Sequence, residues 1–89
     1  MERLYYTYIL RCQNGILYTG YTNNIEKRVE KHNLNKGAKF TRGRGPVEVV
    51  YTAEFPTKGE AMVREAQIKR LSKSEKLKLI AVIENDNQH

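Results

Sequence analysis

The run Leu4-Tyr5-Tyr6-Thr7-Tyr8-Ile9-Leu10-Arg11-Cys12-Gln13-Asn14-Gly15-Ile16-Leu17-Tyr18-Thr19-Gly20-Tyr21 reads as two strands about one turn. Residues 4–12 are rich in aromatic and β-branched side chains, which suit a pleated, half-buried surface. Asn14-Gly15 is a strong hairpin signal, and Ile16 to Tyr21 returns as the second strand. Two loops compete here. A two-residue loop pairs residues whose numbers sum to 29; a three-residue loop, Gln13-Asn14-Gly15 with Gly15 left-handed, gives 28. A one-residue slip sends every side chain to the other face. Only the even sum puts Tyr8 and Tyr18 on one face, as diagonal neighbours.

Working outward, Asn24 is a good N-cap for a helix over 25–33. Ile25, Arg28, Val29 and His32 fall on one face of it, and Glu26, Lys27, Glu30 and Lys31 on the other. Residues 35–46 form a loop by composition, with three glycines, four cations and no acid. Val47 to Phe55 is a third strand, ended by Pro56. Thr57-x-x-Glu60 and Ser72-x-x-Glu75 are capping boxes that open helices near 58–71 and 73–84. The order is ββαβαα: an α+β fold, a three-stranded antiparallel sheet flanked by three helices. The first strand is expected in the centre, because the 25–33 helix can then cross over it between two parallel outer strands. Residues 1–84 make a single domain, and 85–89 a polar tail with the composition of a disordered end.

Eighty-nine residues supply one thin core. Sixteen Lys and Arg against ten Asp and Glu give a net charge of +6, which suits a polyanion, nucleic acid first. The longest apolar run, Leu79 to Ile83, is five residues and spans no bilayer. The N-terminus has no signal-peptide pattern, so the cytoplasm is the expected compartment. A lone Cys12 cannot form an internal disulfide, and one cysteine with two histidines makes a poor zinc site. The only aspartate is Asp86, which argues against a carboxylate-rich two-metal centre.

Three polar residues stand where the pattern expects core. Arg28 and His32 lie on the apolar face of the first helix, and Glu65 interrupts the stripe of Ala61, Met62 and Ile68 on the second. Each has a structural reading: a snorkelling arginine, a hydrogen-bonded core histidine, and a salt bridge from Glu65, Arg28 being one partner for it. Each also has a functional one. Lys36, Lys39, Arg42 and Arg44 in the glycine-rich loop suit phosphate contact. Tyrosine, arginine, histidine and one carboxylate beside such a loop suggest one-metal phosphodiester cleavage.

The spacing of Tyr6-Thr7-Tyr8, Tyr18-Thr19-Gly20, Arg28 and His32, followed by Glu60-Ala61-Met62-Val63-Arg64-Glu65, resembles the GIY-YIG nuclease domain. The resemblance covers about 4–84 and is closest to small stand-alone bacterial members. Tyr6-Thr7 stands where the motif has Gly-Ile, and Thr19 where it has Ile. The resemblance implies a metal-dependent DNA endonuclease acting on duplex, branched or damaged DNA in repair or recombination. It implies a catalytic set of Tyr8, Tyr18, Arg28, His32 and Glu65, with Glu65 holding one Mg²⁺ or Mn²⁺. Tyr8 or Tyr18 would be the general base or water-orienting group; Arg28 would grip the scissile phosphate, and His32 would orient a tyrosine or the phosphate. Both motif tyrosines must then reach one site, so the even register is expected, with Tyr8 near Gly20 and Tyr18 near Leu10. A chain this short is further expected to have one core, with Arg28 and Glu65 both facing the sheet layer that carries Tyr8 and Tyr18. Two other readings are a non-catalytic nucleic-acid-binding module and an accessory protein that docks a larger machine. The oligomeric state is not legible.

Overall fold

Gly15 settles the hairpin. In the computed structural model it has φ 87°, the left-handed region that favours glycine. Its N–H donates to the Cys12 carbonyl at 2.9 Å, and the Cys12 N–H donates to Ile16 at 2.8 Å. Asn14 Oδ1 accepts from the Ile16 N–H at 3.1 Å, a local bond that asparagine favours in turns. The loop is thus Gln13-Asn14-Gly15. The strands β1 (Tyr5–Arg11) and β2 (Leu17–Thr22) pair Tyr8 with Gly20 and Leu10 with Tyr18, the even register expected.

The structure describes residues 3–33 and 46–86, with side chains through 83. The expected order holds: β1, β2, α1 (Ile25–Asn33), β3 (Glu48–Phe55), α2 (Lys58–Lys69) and α3 (Lys73–Asp86). The sheet order is β2-β1-β3, with β1 central and antiparallel to both neighbours, so the outer strands run parallel. Between Ile9 and Leu10 the β1–β3 register shifts by one residue, a bulge that opposes two β3 residues to one of β1. The three expected caps form. Asn24 Oδ1 accepts from the Lys27 N–H, and Thr57 Oγ1 from the Glu60 N–H. At α3, Ser72 and Glu75 cap reciprocally: the Glu75 N–H donates to Ser72 Oγ, and the Ser72 N–H to Glu75 Oε1. That bond holds the Glu75 carboxyl below its ordinary range. α3 runs to Asp86, two residues into the expected tail, because neither glycine nor proline stops it there.

The single-core expectation is corrected. Among the described residues there are two apolar clusters, one on each face of the sheet. Tyr8, Leu10, Cys12 and Val47 pack with Ile25 and Val29 under α1. Ile9, Val50, Tyr51, Ile68 and Ile80 pack on the other face under α2 and α3. The reason is visible in β1: Thr7, Tyr8, Ile9 and Leu10 are all buried, so the central strand is covered on both faces. Arg28 and Glu65 therefore belong to opposite layers.

Candidate active site

The α1 face puts polar groups into a hydrocarbon cluster. Asn24 fixes where α1 starts, and the helical period then turns Arg28 and His32 inward while Glu26, Lys27, Glu30 and Lys31 stay exposed. Arg28 Nε donates to Tyr8 Oη at 3.2 Å. Tyr8 is 1% exposed. Its ring lies 6.4 Å from that of Tyr18, which lies 5.2 Å from the fully buried imidazole of His32. Gly20 makes room for the phenol: a Cβ added there would sit 2.5 Å from Tyr8 Oη and 2.8 Å from Cζ.

Charge follows from these placements. Burial raises the Tyr8 pKa, and the hydrogen bond and charge of Arg28 pull against it. Tyr18 and Glu65 push the same way as burial, so Glu65 acts on Tyr8 from the opposite layer. The Arg28 pKa is raised, first by its bond to Tyr8. Burial, then the positive field of Arg28, lowers that of His32 and keeps its ring neutral at pH 7.

Glu65 stands between Ala61 and Ile68, both 0% exposed, on the buried side of α2. Among the described residues its ion pair is with Lys69, Oε2 to Nζ at 3.6 Å, and none joins it to Arg28. Its side chain is 19% exposed, so a small ion can reach the carboxylate. Met62, expected on the same stripe, is 44% exposed and lies off it. Arg64, off the Ala61–Ile68 stripe, is half-buried. Its Nε donates to Tyr51 Oη at 3.1 Å, with the guanidinium 5.9 Å from the ring centroid.

Of the expected site residues, the structure gathers Tyr8, Tyr18, Arg28 and His32 in one layer and brings the charge of Glu65 to bear on Tyr8. Lys36, Lys39, Arg42 and Arg44 lie outside the described residues. Sequence reasoning missed Thr7, a hydroxyl at 0% exposure within an apolar central strand; a polar residue in such a run was the available signal. Among the described residues there is no group of three or more His, Cys, Asp or Glu that could hold a metal. No helix there is long and apolar enough to cross a membrane.

Comparison with known proteins gives the class. Residues 4–78 match the GIY-YIG catalytic domain, and the chain belongs to that nuclease family, whose domain implies a nucleic-acid substrate. Its similar relatives are small single-domain proteins. It is 55% identical to a UPF0213 protein of Oceanobacillus iheyensis over 97% of this chain and 100% of that one. It is 55% identical to one of Clostridium perfringens over 85% of this chain and 82% of that one. The solution NMR structure of a UPF0213 protein from Bacillus halodurans shares 48% identity and a TM-score of 0.58, covering 89% and 84% of the two chains. An E. faecalis protein solved by NMR gives 38% identity and a TM-score of 0.61, covering 94% and 92%.

Proposed function

We propose that this chain is a divalent-metal-dependent DNA endonuclease that hydrolyses phosphodiester bonds in duplex, branched or damaged DNA in the cytoplasm, in repair or recombination. The observation that carries this reading is the bond from Arg28 to the buried Tyr8 phenol, with the Glu65 carboxylate acting on the same phenol. Arg28 has further N–H groups beyond the one on Tyr8 and can hold a phosphate oxygen where charge develops. Tyr8 keeps its proton at neutral pH, because burial raises its pKa. Neutralising Glu65 removes one influence that raises the Tyr8 pKa and leaves both Arg28 effects that lower it. Tyr18, backed by neutral His32, orients the attacking water.

One partly exposed carboxylate fits Mg²⁺ or Mn²⁺, an ion that keeps several waters and takes substrate phosphate oxygens as its other ligands. The ion would polarise a phosphoryl oxygen. The binding-module reading loses support, since helices cover both faces of the sheet and Tyr8 offers no open platform for stacking.

The test is nicking of supercoiled plasmid with Mg²⁺, using protein purified alongside Glu65→Gln. Wild-type nicking that the variant lacks supports the reading; equal nicking by both sinks it. DNA contact is assigned to the 36–44 cations. Replacing Lys39 and Arg42 together should weaken binding to all sequences alike and flatten the log–log salt slope by about 0.9 per lost phosphate contact. An unchanged affinity and slope would remove the loop from the interface.

A further inference from the structure

We infer that Thr7 is a positioning residue for Glu65: its hydroxyl sets where α2 sits on the sheet and so where the carboxylate stands relative to Tyr8. This deepens the nuclease reading and rests on it. Thr7 Oγ1 donates to the Ala61 carbonyl at 2.7 Å, a buried bond between residues 54 apart in sequence. Both residues are 0% exposed, so no water substitutes for either partner. Ala61 lies four residues before Glu65 on α2, and in an α-helix the Ala61 carbonyl also accepts from the Glu65 N–H. One oxygen thus takes a bond from the sheet and a bond from the backbone of the carboxylate residue.

Beside this bond, Ile68 of α2 packs in one apolar cluster with Ile9 of β1. Apolar contact is non-directional and tolerates sliding of a helix along its axis. A one-residue slide moves Glu65 by about 1.5 Å and turns it by about 100°. The Thr7 bond is directional and opposes that slide at the central strand, as the Arg64–Tyr51 bond does at β3. Thr7 and Tyr8 are neighbours on β1, and alternate residues of a strand face opposite ways. One dipeptide therefore sets both sides of the site. Tyr8 presents its phenol to Arg28 under α1, while Thr7 grips the turn of α2 that leads to Glu65.

The test compares Thr7→Val, which keeps the shape and loses the donor, with Thr7→Ser, which restores the donor and loses the methyl. Three quantities are measured with the Tm of each protein. They are amide residual dipolar couplings of α2 relative to β1, Mn²⁺-induced broadening of Glu65 resonances, and Mg²⁺-dependent nicking. Thr7→Val should shift the α2 couplings, weaken the Mn²⁺ effect and lower nicking by about 10–10²-fold, the scale of an ångström-sized misplacement. Thr7→Ser should return all three towards wild type whatever its Tm. Unshifted couplings in Thr7→Val, or nicking that follows Tm in both variants, would overturn the inference while leaving the nuclease reading in place. Shifted couplings in Thr7→Val, beside a wild type that neither binds Mn²⁺ nor nicks, would keep the α2 register assignment and end both the nuclease reading and the role of Thr7 in it.

Discussion

The two faces of the sheet are both packed against helices and chemically unlike. Under α2 and α3, Ile9, Tyr51, Ile68 and Ile80 form a mainly hydrocarbon layer. Under α1 the buried Tyr8, Leu10 and His32 share the space with a half-buried guanidinium, a second phenol, Val29 and Ile25. The polar groups kept inside separate the site from the core. Those groups are dear to bury, and they are arranged so that Arg28 and Tyr8 satisfy each other. Glu65 is the exception to the division. It sits on the hydrocarbon side but keeps part of its surface in water and acts on the phenol of the other layer.

That exception is where the largest effect is expected. Glu65→Gln should remove metal-dependent nicking altogether. It should change stability by no more than about 1 kcal/mol, because the pair with a half-exposed Lys69 is worth little. Thermal unfolding and plasmid nicking on the same sample check this. A loss of about 3–5 kcal/mol would instead mark Glu65 as a structural ion of a buried pair.

The faces can next be broken one at a time. Arg28→Ala should cost about 10²–10³ in rate, the size associated with a charge stabiliser at a transition state. Ile68→Ala, on the hydrocarbon face, should cost about 2–5 kcal/mol of stability, with nicking per folded molecule unchanged. Urea unfolding beside single-turnover kinetics separates the two. If Ile68→Ala slowed cleavage by folded protein as much as Arg28→Ala does, the division between the faces would be false.

A smaller and more local test uses Gly20. Alanine there places a Cβ against Tyr8 Oη, and the ring, 1% exposed, has little room to retreat. Gly20→Ala should break the Arg28–Tyr8 bond, slow nicking and cost about 1–3 kcal/mol by overpacking. Tyrosine ring resonances and urea midpoints report both effects.

Much of this arrangement was legible because local chemistry agreed with the global fold. Asn24, Thr57 and Ser72 announced the helix starts, and the side-chain period on 25–33 placed Arg28 and His32 inward. The register was legible through the need to bring Tyr8 and Tyr18 to one face. What failed was the count of cores. Chain length argued for one, but the unbroken buried run from Thr7 to Leu10 is the mark of a strand covered on both sides, and it outweighs length. The inward turn of Arg64 was hidden as well. Its partner Tyr51 lies on another element, and no local pattern joins them.

The smallest expected effect is a pH dependence confined to the α1 face. His32 is fully buried, and burial together with the Arg28 charge lowers its pKa below the ordinary value of 6.5. The unfolded chain therefore binds more protons than the folded one as pH falls through that value. Stability then rises with pH wherever the unfolded state holds the extra proton. The contribution of neutral His32 is fully present above pH 6.5 and is lost progressively below it, down to the folded pKa. One group can give at most about 1.4 kcal/mol per pH unit. His32→Phe cannot protonate, so the difference in unfolding free energy between wild type and variant should be constant above about pH 7 and drift in favour of the variant between about 6.5 and 5. Carboxylates titrate in both proteins and cancel from the difference. Ile68→Ala, in the other layer, should show no such drift. A difference between wild type and His32→Phe that stayed flat across that range would mean that His32 titrates normally and that the α1 layer admits water.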